Sequence, residues 1–141
     1  MKIISKEITI SNLNRGFHII TDEIINNLPE ISLTQTGILF LFIKHTSASI
    51  SINENADRTV RDDLETFFNN TVKEDLSLYK HNYEGEDDMP AHIKSTLIGN
   101  NIHIPILNGK LDLGTWQGIY LCEHRNHSTN RKIRLTLLRE D

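Results

Sequence analysis

Seven histidines in 141 residues is a high number, and several stand where one element ends and another begins. His45 closes the apolar run GILFLFIK and opens the small, hydroxyl-rich segment HTSAS, with Ser47 inside it. A strand end that feeds a helix start exposes free backbone N–H groups, which suit an anion or a ligand. Glu54 and Asp57 follow. On one helix, residues three apart share a face, so these two could add acid–base or electrostatic chemistry beside His45. Taken alone they also read as first-turn acids complementing the helix dipole, with Asp57 paired to Arg61 at i,i+4. The segment YKHNYEGEDDMPAHIKS holds His81, Asp87, Asp88 and His92. His92 is expected in the first turn of a helix, where the positive end favours neutral, metal-binding imidazole. Lys94 and Ser95 come just after it, placed to hold a phosphate.

The segment CEHRNH offers Glu123, His124 and His127. His124 and His127 would oppose each other on a regular strand, so a shared ion would need a turn there. In LGTWQG, Trp116 reads as core. Gln117 stands among apolar alternates, which suggests a cavity or an interface. Arg131 can take an anion through two parallel N–H bonds. No H-x-x-x-H pair exists, so a metal site must gather ligands from distant segments. No P-loop, dinucleotide or α/β-hydrolase fingerprint is present. Cys122 sits mid-strand and is expected to be buried and unreactive.

The elements that must position these groups follow from periodicity. Ile4, Ile8 and Ile10 alternate with polar residues in a half-buried strand, and GFHII continues as a second. Thr21 caps a short helix over Ile24, Ile25 and Leu28 that Pro29 stops. GILFLFIK reads as a strand buried on both faces. Ser51-Ile52-Asn53-Glu54 matches a capping box, so a long helix is expected from near Ser51 with Ala56, Val60, Leu64, Phe67 and Phe68 as its apolar stripe. Pro90 and Gly99 bracket a further helix. Asn108-Gly109 marks a two-residue hairpin turn, and Pro105 an edge or bulge. TWQGIYLCEH and RKIRLTLL are two more strands joined by RNHSTN. The pattern gives an α+β fold, one domain over residues 1–141.

Composition sets outer limits. A formal charge of −4 and a pI near 5.9 argue against a general nucleic-acid surface. No apolar run is long enough for a membrane span, and MKIISKEITI reads as a strand rather than a signal peptide. A single cysteine forms no internal disulfide, so a reducing cytoplasm is the expected location.

The blocks HTSAS, Glu54 with Asp57, YKHNYEGEDDMPAHIKS, LGTWQGIYLCEHRNH and RKIRLTLL, in this order, resemble the YjbQ-like family over about Phe17 to Leu138. The resemblance implies a compact domain with a mixed, mainly antiparallel β-sandwich-like core and two or three helices, assembled as a homotrimer. It also implies a divalent metal ion, with His45, His92 and His124 carried over as ligands and Asn53, Glu54 and Asp57 nearby. The ligand types favour a zinc-like ion, with Mg²⁺ as the alternative.

The associated activity is a secondary thiamine-phosphate synthase. It would join hydroxymethylpyrimidine diphosphate to a thiazole phosphate and release diphosphate. In that reading Lys94, Arg131, Ser47 and Ser95 bind phosphate. A metal-dependent hydrolase, with Glu54, Asp57 or Glu123 as base, is the second expectation. A non-catalytic trimeric protein that binds a metal or a metabolite is the third.

Overall fold

Isoleucine and leucine at every second position build most of this molecule. The structure, a computed structural model, describes residues 1–127 and 130–141. Ser128 and Thr129 of the expected RNHSTN connection lie outside the described residues. In chain order the elements are β1 (Lys2–Ile10), β2 (Gly16–Ile19), α1 (Thr21–Asn27), β3 (Thr36–Ile43), β4 (Ala48–Glu54), α2 (Arg58–Thr71), α3 (Asp88–Ile98), β5 (Asn101–Leu107), β6 (Lys110–Leu111), β7 (Gln117–Glu123) and β8 (Arg131–Arg139).

Two sheets pack face to face. One has the order β1-β8-β3-β5-β6 and the other β2-β7-β4. Among the described residues every strand pairing is antiparallel, so the sandwich is α+β as expected but not mixed. Leu39, Leu41, Ile43, Ile133, Leu135 and Leu137 of the larger sheet meet Ala48, Ile50, Ile119 and Leu121 of the smaller. The outer face of the smaller sheet carries Phe17, Tyr120 and Cys122, covered by Leu64 and Phe68 of α2 and Ile98 of α3. The result is three layers, sheet on sheet on helices. The hairpin turn forms as expected, with positive φ of 52° at Asn108 and 76° at Gly109. Cys122 is fully buried, and burial pushes its thiol up to about 12.

Several expectations fail here. Residues 48–54 are a strand, not the start of a helix. ASISINE alternates with period two and pairs along its whole length with β7 from Ala48↔Glu123 to Glu54↔Gln117, which outweighs the capping-box pattern. Glu54 and Asp57 therefore share no helix face. Asp57 is instead the N-cap of α2, accepting from Thr59 N at 2.9 Å and Thr59 Oγ1 at 2.7 Å, and makes no ion pair with Arg61. β3 is buried on one face only, since Ile38, Phe40 and Phe42 are 40%, 41% and 47% exposed. Trp116, at the turn before β7, is 65% exposed rather than core. Thr21 is the first residue of α1, and its hydroxyl accepts from Ile119 N at 2.9 Å rather than capping the helix.

The capping role of Asp57 sets an expected outcome. Asp57→Ala lowers the thermal midpoint by roughly 3 °C and leaves metal binding unchanged. Thermal melts and metal titration of the same samples check both halves.

Candidate functional site

Three ligand-capable side chains converge at the start of α3. His81 comes from the segment ahead of the helix, Asp88 is the first helical residue, and His92 stands one turn later. Each brings a ligand atom to within 4.8 Å of the others. Residues four apart on a helix lie one above the other, which stacks His92 over Asp88. Asp88 Oδ2 is 2.6 Å from His81 Nε2 and 3.4 Å from His92 Nε2. The carboxylate is 2% exposed, while both imidazoles are half-buried and reach the surface.

The surroundings fix these groups. His92 Nδ1 donates to the Thr46 carbonyl at 2.9 Å. A carbonyl only accepts, so in the neutral ring the proton is on Nδ1 and the Nε2 lone pair faces Asp88. Arg125 reaches across from the end of β7. Its Nη1 donates to Asp88 Oδ1, its Nε to Asp87 Oδ2 at 2.9 Å, and its Nη2 to the Glu84 carbonyl at 3.1 Å. Asn126 N adds a bond to Asp87 Oδ2 at 2.9 Å. Burial pushes the Asp88 carboxyl up, but the His81 hydrogen bond and the Arg125 charge outweigh it and hold the group below the usual carboxylate range. Two imidazoles and an ionised carboxylate form a donor set for zinc or a similar ion, with further positions left for water or substrate.

A cavity of about 390 Å³ adjoins His92, lined also by His45, Thr46, Ser95, Thr96 and Asn100. His45 Nε2 accepts from Lys132 N at 2.8 Å. That takes the lone pair and leaves Nδ1–H as the donor of the ring. Burial, reinforced by the Arg131 charge, lowers the His45 pKa, so the ring is neutral near pH 7.

The other expected site residues lie deeper. His124 is 1% exposed, with Nε2 2.8 Å from Ser49 Oγ. The set His45, His92 and His124 therefore does not converge within one chain, because β7 carries His124 inward between layers. Glu123 is fully buried and accepts from Arg131 Nε at 2.7 Å, while Arg131 Nη2 also donates to the carbonyl and hydroxyl oxygens of Ser47 at 3.2 Å. Lys94 is buried and donates to Asn69 Oδ1 at 2.8 Å. Burial, then the Arg15 charge, lowers its pKa. Ser95 Oγ donates to the Ala48 carbonyl at 2.9 Å, docking α3 on β4. Gln117 is exposed, accepts from Gly114 N at 2.8 Å and borders a cavity of about 510 Å³.

The family model described as UPF0047 protein YjbQ-like matches residues 6–140. The chain belongs to the YjbQ-like family. UPF0047 protein YjbQ of Escherichia coli O157:H7 is 50% identical over 132 residues, covering 94% of this chain and 95% of its own. The protein of that name from Salmonella typhimurium is 52% identical over the same shares. A YbjQ-like protein of unknown function from Sulfolobus solfataricus P2 superposes with a TM-score of 0.84 at 30% identity, covering 99% of each chain. An uncharacterised member from Clostridium acetobutylicum superposes with a TM-score of 0.82 at 37% identity, covering 94% of this chain and 99% of that one.

In this YjbQ-like chain, sequence reasoning placed His92 but gave His81 and Asp88 no joint role. Asp88-x-x-x-His92 has the one-turn spacing of an H-x-x-x-H pair, with a carboxylate in the first place. Counting the helix from Pro90 hid it, since the helix begins two residues earlier. Arg125, in the CEHRNH segment, is the clamp.

His124 yields a pH prediction. Burial, then the charges of Lys94, Arg131 and Arg15, push it down to about 3 in the fold. Below its ordinary value near 6.5 the unfolded chain takes up a proton that the folded one refuses. This contribution to stability is full above pH ~6.5 and is lost as pH falls toward ~3, at up to about 1.4 kcal/mol per pH unit. Urea unfolding from neutral to acid pH should reveal that slope in the wild type and a flatter one in His124→Gln.

Proposed function

We propose that His81, Asp88 and His92 hold one divalent, zinc-like ion and that the chain is a metal-dependent hydrolase of a small phosphorylated metabolite. The observation that carries this reading is the convergence of three ligand atoms within 4.8 Å, with the His92 tautomer set by a backbone carbonyl. Bound there, the ion supplies Lewis acidity to a phosphoryl oxygen and acidity to a nearby water. Asp88 contributes charge as a ligand and Arg125 keeps its carboxylate in place. His45 Nδ1–H, with the Thr46 hydroxyl, donates to phosphate oxygens in the adjoining cavity. At about 390 Å³ that cavity suits one small metabolite better than the two substrates a thiamine-phosphate synthase must join.

The partner reading is assembly with copies of this chain as a homotrimer through the bare outer face of the larger sheet. Ile38, Phe40 and Phe42 of β3 and Leu107 of β5 are all 40% exposed or more. Light scattering of Phe40→Glu with Phe42→Glu should give monomers where the wild type gives trimers. A monomeric wild type would sink this reading.

Metal analysis of tag-free protein is the decisive test of the site. About one zinc-like ion per chain is expected, lost in Asp88→Asn and His92→Ala, with affinity about 10–100-fold weaker in Arg125→Met. Affinity should rise with pH, because imidazoles ligate only when unprotonated. Wild-type protein that takes up no ion from added Zn²⁺, Mn²⁺ or Mg²⁺ would refute the site. Metal-loaded protein that turns over no phosphoester or diphosphate would refute the hydrolase.

A further inference from the structure

α2 crosses the free edge of β2, and a groove of about 550 Å³ lies between them. Among the described residues β2 pairs only with β7. Since Ile20 N bonds Ile119 O, antiparallel alternation turns the backbone groups of Phe17 and Ile19 toward the groove. Leu13, Ile19 and Ile20 give it an apolar floor.

The charges along the wall are mostly self-satisfied. Arg15 is paired with Glu65 at 3.1 Å and with Glu74. Arg58 and Asp62 face each other at 3.9 Å. Asp57 is occupied by Thr59. That leaves Arg61 without an ion pair among the described residues; the guanidinium lies beside the buried Tyr120 hydroxyl, and its Nη1 has no hydrogen-bond partner. A buried guanidinium nitrogen without an acceptor is unfavourable, and such groups are normally matched by something. On α1, Glu23 lines the same groove and likewise makes no ion pair among the described residues. One unpaired cation, one unpaired acid and an apolar floor between walls describe the complement of a zwitterion.

We propose that this groove binds a small zwitterionic carboxylate, an amino acid or close analogue, with Arg61 as the carboxylate anchor and Glu23 as the ammonium partner. The Arg61 fork matches a carboxylate, and the backbone N–H of Ile19 offers a further donor. Asp62 and Glu65 beside it disfavour a dianion such as phosphate. The site is separate from the His81, Asp88 and His92 cluster and does not depend on it.

Calorimetric titration in the presence of a chelator tests this with four probes: L-leucine, 4-methylpentanoate, 3-methylbutylamine and inorganic phosphate. Leucine should bind saturably at one per chain, and 4-methylpentanoate more weakly. The amine and phosphate should not bind measurably. Arg61→Met should weaken leucine binding by about ten- to a hundredfold while its thermal unfolding stays cooperative. Arg61→Lys should fall between the two. Glu23→Gln should bring leucine down to the level of 4-methylpentanoate. His92→Ala should bind leucine as the wild type does. Absence of saturable leucine binding at tens of millimolar overturns the proposal, and so does leucine binding that survives Arg61→Met. Phosphate binding tighter than leucine overturns the zwitterion assignment.

Discussion

Burial of β7 on both faces is the constraint from which the rest of the structure follows. From Gly118 to Glu123 every residue is buried. Ile119 and Leu121 fill the space between the sheets, and Tyr120 and Cys122 fill the space under the helices. An apolar strand with two inner faces demands a layer on each side, which is why α2 and α3 lie where they do. The demand extends past the apolar residues. Glu123 and His124 are drawn into the same dry environment, where an unpaired charge is strongly unfavourable. Arg131 neutralises the first, and the second is kept uncharged beside Ser49. Arg125, the first residue of the strand's exit to regain some exposure, then reaches out to Asp87 and Asp88. The clamp on the candidate metal site is thus the outer end of a polar chain that begins in the core.

This arrangement gives the site rigidity from two directions. α3 is docked on β4 through Ala91 and the Ser95–Ala48 hydrogen bond, which fixes the helical register and therefore the offset of Asp88 from His92. The connection leading into α3 is held by Arg125 through the Glu84 carbonyl and the Asp87 carboxylate. Thr46, just past β3, sets the ring of His92. Strand ends and a helix start supply the positions, so small errors in any one connection are not passed on to the ligand atoms.

The sequence was readable where one local rule acted alone. The β1 and β8 alternations, the Asn108-Gly109 turn and the Pro90–Gly99 bracket all describe what the fold contains. It was misread where two rules competed. Ser51 to Glu54 satisfies both a capping box and a period-two strand, and only the long-range pairing with β7 decides between them. GILFLFIK looks fully buried because sequence cannot tell a core face from an apolar outer face. The family was legible from its ordered blocks, yet assigning ligands residue by residue required knowing which ends meet. His45 and His92 do border one cavity. Nothing in the residue types told that His124 would be carried inside, or that His81 would reach Asp88.

The electrostatics of the cluster narrow its chemistry. A carboxylic acid that serves as a general acid or base near neutrality needs a pKa raised toward 7. Asp88 is held in the opposite direction by His81 and Arg125, so it stays ionised and has no proton to give. Glu123 is committed to Arg131 in the interior. Asp57 is an exposed cap whose carboxyl is lowered by its bonds to Thr59. A permanently ionised, buried carboxylate flanked by two half-exposed imidazoles is poorly suited to proton shuttling by carboxyl groups. It is well suited to holding a cation, because added positive charge relieves the cost of keeping Asp88 anionic in a dry place. In the ion-free arrangement the His81 hydrogen bond meets that need in part, and a metal competes for the same lone pair.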